Sequence, residues 1–240
     1  MIPRLPAQVV ALGIGLALTA GLAAEAVPEQ PAVSTPAPMA PPAAALAPRT
    51  ATASKYVYLT FDDGPHPKYT AQILAILRRY GVRATFFQIG QNVARHPHLT
   101  RRADLYGHSV QNHTWSHPNL RKVRWSTFKS QVQSTDRALR RQTGYTPRCL
   151  RPPYGATNSL VAKRAAALGK RVTMWSVDTG DWARPGSSVI ARRVLTRVRN
   201  GSIVLMHDGG GNRSQTVAAL PTILKTLKAR GYTFYALWCL

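Results

Sequence analysis

From residue 56 onward, short apolar runs alternate with longer stretches in which apolar residues recur every three or four positions. The first run, 56–61, is rich in aromatic and β-branched residues, as expected of a buried strand. In the next stretch, 70–80, Ile73, Leu74 and Leu77 fall on one helical face, and Gly81 follows as a stop signal. The same alternation recurs along the chain, so the sequence predicts strands and helices in turn.

The predicted elements can be stated by residue number. Predicted strands cover 56–61, 84–89, 108–113, 148–151, 171–177, 202–206 and 232–238. Predicted helices cover 70–80, 97–106, 126–143, 159–168, 187–200 and 215–230. The last five helices are each closed by a glycine: Gly107, Gly144, Gly169, Gly201 and Gly231. Seven strands separated by six helices predict an α/β fold, a parallel sheet or barrel with outer helices.

Residues 1–54 have a different composition. An apolar run of 16 residues ends at Ala24, which is short of the roughly 20 residues of a membrane-spanning helix. Ala24-Glu25-Ala26 then offers a cleavage site between small residues. We interpret 1–26 as a secretory signal peptide and 27–54, rich in Pro and Ala, as a linker before a catalytic domain at 55–240. An uncleaved membrane anchor is the alternative, because Arg4 is the only early charge.

The charge of the chain is strongly one-sided. There are 32 Lys and Arg against 9 Asp and Glu, a formal net charge of +23. Such an excess indicates a polyanionic partner: nucleic acid, an acidic membrane surface or an anionic cell wall. From residue 55 onward the chain contains no Glu, and five of its seven Asp residues fall in the motifs described next.

Cysteine usage narrows the class further. With only Cys149 and Cys239, the chain is neither a disulfide-rich scaffold nor a protein with a cysteine-based zinc site. An exported chain could join the two in a disulfide, and two buried free thiols are the alternative.

Polar motifs follow five of the predicted strands. They are Asp62-Asp63-Gly64, His113-Thr-Trp-Ser-His117, Pro152-Pro-Tyr-Gly155, Asp178-Thr-Gly-Asp-Trp182 and His207-Asp208. Parallel α/β folds and barrels build their active sites where strands end, so the shared placement predicts one site.

The two histidines and an aspartate suggest a metal site. His113 and His117 are four apart, so in a helical turn both imidazoles could meet one cation. Together with Asp63 they form a two-histidine, one-carboxylate set, which suits a catalytic divalent ion with open positions for water. Two surface histidines in a loop are the alternative for the pair alone, and Asp62-Asp63-Gly64 could be no more than a turn.

The remaining motif residues suggest acid–base chemistry. In the functional interpretation one of Asp62 and Asp63 binds metal and the other acts as general base, since adjacent side chains on an extended backbone diverge. Arg151, at the end of a strand, could hold a carboxylate ionised and oriented. His207 is interpreted as a general acid, although a lone histidine after an apolar strand is more often part of the core. Asp181 could instead cap a helix, with a core tryptophan after it.

Taken in order, these residues resemble the five motifs of the polysaccharide deacetylases of the NodB-homology type, carbohydrate esterase family 4. The matching segments are Thr60-Phe-Asp-Asp-Gly64, His113-Thr-Trp-Ser-His-Pro118, Arg151-Pro-Pro-Tyr154, Asp178-Thr-Gly-Asp-Trp182 and Leu205-Met-His207. The resemblance spans 55–240 and implies a distorted seven-stranded (β/α) barrel, in agreement with the strand count.

The resemblance also implies roles. Asp63, His113 and His117 would hold a divalent metal, with zinc expected. Asp62 would be the general base, steadied by Arg151, and His207 the general acid, tuned by Asp181. The backbone N–H of Tyr154 would stabilise the oxyanion, and Trp182 and Leu205 would line the acetyl pocket. No role follows for Asp178 or Asp208.

The implied reaction is removal of N-acetyl groups from N-acetylglucosamine units, with peptidoglycan as the first substrate and chitin oligomers or acetylxylan as alternatives. A non-catalytic, basic wall-binding module would be expected to lack Asp62, His207 or a metal ligand, and all are present. Nucleic acid is not expected as a partner, because the chain carries an export signal and no recognisable nucleic-acid-binding motif. No stable protein partner is implied. We expect a secreted or envelope protein held on anionic wall polymers by its charge.

Overall fold

The computed structural model of the protein describes residues 55–239. The predicted signal peptide and linker therefore lie outside the described residues. Eight strands are present: β1 Lys55–Asp62, β2 Thr85–Gln88, β3 Ser109–Asn112, β4 Cys149–Leu150, β5 Arg171–Val172, β6 Val177–Asp178, β7 Ser202–His207 and β8 Tyr232–Phe234. Seven α-helices accompany them: α1 Tyr69–Arg79, α2 Gly90–Arg95, α3 Pro97–Leu105, α4 Trp125–Thr143, α5 Ser159–Ala166, α6 Ser187–Arg197 and α7 Ser214–Ala229.

The strands form one parallel sheet, in which β1 is an interior strand with three neighbours. The order is β5-β4-β3-β2-β1-β7-β6, and β8 pairs with β1 beside this path. The last residues of β1, Thr60 to Asp62, align with β2, and its first three residues align with β8. Along its other edge β1 aligns with β7, so that Asp62 stands opposite His207. The carboxyl ends of these strands thus meet at one rim, which places the first and last motifs side by side.

The predicted fifth strand is the main departure from the expected pattern. Instead of one strand over 171–177, the chain forms β5 and β6, which lie at opposite ends of the strand order. The backbone N–H of Thr173 donates to Leu150 in β4 (2.9 Å), and that of Ser176 donates to Ile203 in β7 (3.0 Å). A single segment therefore leaves one edge and joins the other, which closes the barrel. Counted as one strand, it gives the predicted distorted seven-stranded barrel.

The outer helices cover the sheet with their apolar faces. From α1, Ile73, Leu74 and Leu77 are fully buried in the main core, which also contains Leu59 and Phe61 of β1. A second buried cluster joins α4, β4 and α5. The predicted helix ends agree with the structure to within three residues, and all five closing glycines have positive φ. The short helix α2 was not predicted, because its polar sequence Gly-Gln-Asn-Val-Ala-Arg carries almost no apolar periodicity.

The opposite rim, where the strands begin, is crossed by the C-terminal segment, residues 235–239. The predicted last strand was too long: β8 ends at Phe234, and the chain then runs beneath β1, β2 and β3. In this segment the backbone N–H of Leu237 donates to Thr85 Oγ1 (2.8 Å), and its carbonyl accepts from Ser109 Oγ (2.5 Å). Cys239 forms a disulfide with Cys149 in β4, which decides between the two alternatives left by the sequence.

Among residues 55–239, no helix combines the length and the apolar character that crossing a membrane would require.

Candidate active site

Two adjacent aspartates at the end of β1 begin the site. Asp62 is the last residue of the strand, and Asp63 follows with a positive φ of 73°. Both side chains are buried, and a non-glycine residue in this left-handed conformation is characteristic of functional turns. The turn makes the two carboxylates diverge, as predicted: Asp62 faces Arg151, whereas Asp63 faces the two histidines.

Asp63, His113 and His117 converge on one point. Asp63 Oδ1 lies 3.4 Å from His113 Nε2 and 3.2 Å from His117 Nε2, and one ligand atom from each residue fits within 4.8 Å of the others. His113 Nδ1 lies 2.7 Å from the carbonyl oxygen of Arg151. Because a carbonyl only accepts hydrogen bonds, Nδ1 carries the proton and Nε2 presents a lone pair.

The chemistry of this donor set fits a divalent cation. Asp63 Oδ1 is buried without a hydrogen-bond partner in the described chain, and lone pairs that face one another in this way repel unless a positive charge lies between them. Burial alone would raise the pKa of Asp63, but hydrogen bonds from His113 and His117, formed when Nε2 carries a proton in place of a metal cation, outweigh burial and hold that pKa well below its usual range. The carboxylate is therefore ionised and ready to bind a metal.

The loop 113–117 is not the helical turn that the spacing suggested. Thr114 and His117 have positive φ values of 68° and 63°, so the two imidazoles meet through a tight, irregular loop. Asn112 Oδ1 accepts from the backbone N–H of Thr114 (2.8 Å). Gln131 of α4 accepts through Oε1 from the N–H groups of Trp115 and Ser116 (2.9 Å each).

Helix α2 ties this loop to the aspartate turn. Its first two N–H groups, from Gly90 and Gln91, donate to the carbonyls of Thr114 (2.9 Å) and Trp115 (3.0 Å). Asn92, one residue further, donates through Nδ2 to the carbonyl of Asp63 (2.9 Å). These supporting residues were not identified from the sequence, because a single asparagine or glutamine gives no pattern that marks such a role.

Arg151 forms a buried ion pair with Asp62. Its fully buried guanidinium donates through Nη1 to Asp62 Oδ1 (2.8 Å) and to Thr60 Oγ1 (2.7 Å). Nε and Nη2 donate to the carbonyls of Thr173 and Met174 (3.1 Å each). A buried charge pair is costly unless its remaining donors are satisfied, and here each group has a partner. The predicted pairing of Arg151 with Asp62 is thus present.

His207 and Asp181 form a second pair on the same rim. His207 Nδ1 lies 2.7 Å from Asp181 Oδ1, which leaves Nε2 as the free ring nitrogen. Asp181 Oδ2 accepts from the backbone N–H of His207 (2.8 Å) and from Thr216 Oγ1 (2.7 Å). Burial alone would lower the pKa of His207, but the Asp181 carboxylate outweighs it and raises the pKa to about 9. The imidazole is therefore protonated near neutral pH.

A cavity of about 430 Å³ joins these groups. The predicted site residues in its lining are Asp62, Asp63, His113, His117, His207, Tyr154, Trp182 and Leu205. Trp182 is 59% exposed and Tyr154 71% exposed, so both stand at the mouth. Four further lining residues were not assigned to the pocket from the sequence: Pro152, Gly155, Asp178 and Trp175, the last of which lies inside the broken fifth strand.

Asp208 lies behind the site. It is fully buried, its Oδ2 accepts from Thr70 Oγ1 (2.5 Å), and its backbone N–H donates to the carbonyl of Asp62 (3.0 Å). A Cβ at Gly64 would lie 2.2 Å from the Asp208 carboxylate, so only glycine fits there. Burial raises the pKa of Asp208 to about 7. Its place is structural support for the turn that carries Asp62 and Asp63.

Comparison with known proteins agrees with this arrangement. The family profile described as "Polysaccharide deacetylase" matches residues 49–173. The chain is 41% identical over 184 residues to a peptidoglycan-N-acetylglucosamine deacetylase of Listeria monocytogenes, covering 77% of this chain but only 38% of that protein. It is 40% identical over 196 residues to a chitooligosaccharide deacetylase of Bradyrhizobium, covering 77% of this chain and 90% of the relative.

A solved structure shows the same fold. The peptidoglycan N-acetylglucosamine deacetylase Bc1960, crystallised with a hydroxamate, superimposes with a TM-score of 0.74 at 39% identity. The superposition covers 76% of this chain and 86% of that one. The likeness is thus a similarity of the fold over about three quarters of the chain.

Proposed function

Because the chain belongs to the polysaccharide deacetylase family, we propose that it hydrolyses N-acetyl groups from N-acetylglucosamine units of a glycan, with peptidoglycan as its substrate. One observation carries this proposal: the candidate metal triad and two hydrogen-bonded charge pairs meet at the same cavity. Asp62 with Arg151 supplies a held carboxylate, and His207 with Asp181 supplies a protonated imidazole. Amide hydrolysis needs both, since one proton must be taken from water and one given to nitrogen.

Asp63, His113 and His117 are the residues that would hold the metal. When bound, a divalent cation lowers the pKa of a water molecule and polarises the amide carbonyl. Zinc suits two imidazoles and one carboxylate with room for water, so we propose zinc as the resident ion.

Asp62 is the general base in this proposal. Its Oδ1 is occupied by Arg151, while Oδ2 lies 3.8 Å from His113 Nε2, next to the triad. Oδ2 therefore accepts the proton of the attacking water as its oxygen bonds to the acetyl carbon. Arg151 keeps the carboxylate oriented during this step.

His207 completes the reaction as general acid. Its protonated Nε2 gives a proton to the amide nitrogen as the carbon–nitrogen bond breaks, which releases acetate and a free amine. Asp181 stabilises and orients the protonated imidazole through the hydrogen bond at Nδ1, and it also accepts from the backbone N–H of His207. The backbone N–H of Tyr154 is proposed to stabilise the oxyanion, and Trp182 and Leu205 to enclose the acetyl methyl.

The choice of peptidoglycan is supported by the Listeria relative and by the Bc1960 deacetylase. Chitin oligosaccharides are a second candidate, supported by the Bradyrhizobium relative, of which this chain covers 90%. Acetate release should be measured on peptidoglycan, on chitin oligosaccharides and on acetylxylan with purified 55–240. Turnover only on acetylxylan would contradict an N-deacetylase.

The metal is tested by removal and replacement. Chelation should abolish acetate release, and zinc or cobalt should restore it, whereas His113→Ala should lose both bound metal and turnover. Full activity in a preparation shown to be metal-free would overturn the role of the triad.

The separate roles of the two aspartates can also be tested. Asp62→Asn should retain the metal and lose ~10²–10⁴-fold in turnover, as expected on removal of a general base. Because Arg151 then loses its counterion, the folded fraction should be measured in parallel by circular dichroism. Loss of metal from folded Asp62→Asn would mean that Asp62, and not Asp63, is the ligand.

We further propose that the protein acts outside the cytoplasm, exported by the signal peptide at 1–26 and cleaved near Ala26. N-terminal sequencing of the extracellular protein should give a start near Val27, whereas an intact N-terminus in the membrane fraction would favour an anchor.

The positive charge is proposed to retain the protein on anionic wall polymers. Binding to sacculi should then weaken steeply as salt rises, because exposed charges are screened over ~8–10 Å. Turnover of a short neutral oligosaccharide should change far less.

A further inference from the structure

A groove on the outside of the barrel lies directly behind the metal-binding loop. It runs between α2, α3 and α4 and encloses about 380 Å³. Its lining includes Trp115, the middle residue of the loop 113–117, whereas His113 and His117 of the same loop face the cavity inside. One short loop thus contributes to two concave surfaces on opposite sides.

Trp115 is held in a fixed position at this groove. Its backbone N–H donates to Gln131 and its carbonyl accepts from Gln91 (3.0 Å). The indole packs so closely on Gly90 that a Cβ there would lie 2.4 Å from the ring. The side chain is half-buried, so part of the ring faces the groove. A rigid aromatic surface of this kind is suited to contact with the apolar face of a sugar ring.

Two guanidinium groups stand at the side of the groove formed by α4. Arg137 and Arg141 are exposed, one turn apart, and Arg137 is oriented by a hydrogen bond from Nη2 to Ser134 Oγ (2.8 Å). In the described part of the chain, only Arg151 and Lys170 of the Lys and Arg side chains form an ion pair with a carboxylate. Both groove arginines are therefore available to an external anion, and guanidinium groups match carboxylates in geometry.

A second groove of similar size shows what is specific to the first. It lies between α6 and α7, encloses about 460 Å³ and contains Arg192, but its lining has no aromatic side chain. Both grooves share the positive field of the protein. A third groove, between α1 and α3, also encloses about 380 Å³ and has Tyr106 and three arginines in its lining, but there Arg78 lies over the Tyr106 ring (5.0 Å) and donates to its hydroxyl (3.1 Å). Of these three grooves, only the α2–α4 groove combines two arginines with an aromatic ring that is not covered by an arginine of its own groove.

We propose that the α2–α4 groove is a second glycan-binding site, which takes a carboxylate-bearing segment of the polymer substrate. A sugar ring would contact Trp115, and a carboxylate of the lactyl or peptide substituent would pair with Arg137 and Arg141. The choice of occupant rests on the proposed function, while the existence of the site rests on the groove itself. Such a site would hold the polymer near the enzyme and would not affect short neutral substrates.

The kinetic test compares two charge-matched double variants. Arg137→Gln with Arg141→Gln removes two charges from the groove, and Arg192→Gln with Lys225→Gln removes two exposed charges from α6 and α7. We expect the groove variant to raise KM for soluble peptidoglycan strands about fivefold, the combined scale of two exposed charge pairs. The control should raise KM less than twofold, and kcat and turnover of chitotetraose should stay unchanged in both. Equal increases in KM, or none in the groove variant, would overturn the proposal.

A binding measurement keeps this test independent of turnover. The indole N–H resonance of Trp115, assigned by its loss in Trp115→Phe, should shift on titration with a carboxylated muramyl peptide. It should respond weakly to neutral chitotetraose at the same concentration. A response to a soluble phosphodiester polymer without one to the muramyl peptide would overturn the assigned occupant. If the enzyme released no acetate but Trp115 still responded to the muramyl peptide, the proposed function would fail and the site would stand.

Discussion

The two rims of the barrel differ in how they are built. Where the strands end, the backbone takes unusual conformations at Asp63, Thr114, His117 and Tyr154, and polar side chains hold it in place. Where the strands begin, residues 235–239 cross the sheet and a disulfide fixes their end to β4. The first rim concentrates buried charge and strain, and the second has a covalent bond. This contrast suggests that chemistry and stability depend on different ends of the same strands.

The largest expected effect is a loss of turnover when a residue is changed at the rim where the strands end. His207→Asn removes the proposed general acid and should lower turnover ~10²–10⁴-fold. Asp181 keeps Thr216 and the backbone N–H of residue 207 as donors, so the protein should still fold, but the buried carboxylate loses its counter-charge and the thermal midpoint should fall. Acetate release and thermal melting measured on one preparation check both. Turnover within tenfold of that of the unchanged enzyme, in fully folded protein, would remove His207 from the reaction.

A change at the rim where the strands begin should lower stability and leave turnover almost unchanged. Cys149→Ala with Cys239→Ala removes a cross-link between residues 90 apart, and should lower the free energy of unfolding by ~2–4 kcal/mol. At 25 °C kcat should stay within twofold, because no catalytic group touches the C-terminal segment. Urea unfolding and steady-state kinetics provide the two measurements. A loss of kcat in the fully folded variant would contradict the idea that catalysis and stability depend on different rims.

A third experiment concerns how the strained loop is supported. Gln131→Leu keeps the size of the side chain but leaves the N–H groups of Trp115 and Ser116 without their acceptor. Metal affinity should fall ~10–100-fold, as on loss of other groups that orient ligands. Gln133→Leu, at an exposed position of the same helix, is the matched control. Competition with a chromophoric chelator measures both variants, and equal affinities would remove Gln131 from the supporting network.

The smallest effect is a displaced pH profile. His207 must be protonated to act as an acid, so kcat/KM should fall as pH rises through about 9, the pKa set by Asp181. In Asp181→Asn the main cause of the raised pKa is gone, and burial is opposed only by the charges of Asp62 and Asp63, so the fall should begin at a lower pH. A pH–rate profile of both proteins measures the shift. An unchanged alkaline limb would mean that another group controls it.

Most of the barrel could be predicted from the sequence, because its strands are apolar and its helices amphipathic. The motif residues could be grouped because parallel strands end at one rim. The broken fifth strand could not be foreseen, since 171–177 is as apolar as an unbroken strand and its division depends on barrel closure. Gln131, Asn92 and Asn112 were missed for a related reason: each acts through side-chain hydrogen bonds to the backbone of a loop, which leave no periodic pattern in the sequence.

The interruption of the fifth strand also creates the binding place of Arg151. In an unbroken strand, the carbonyls of Thr173 and Met174 would be directed to neighbouring strands. Here residues 173–176 lie between two edges, and both carbonyls accept from the guanidinium instead. The gap in the sheet thus forms the binding site of the buried guanidinium. Its Cζ atom also lies 4.0 Å from the centre of the Phe87 ring. A redesign that made residues 171–177 one continuous, fully paired strand would take these two acceptors away from Arg151. The residue that holds Asp62 in place would then lose its own binding site.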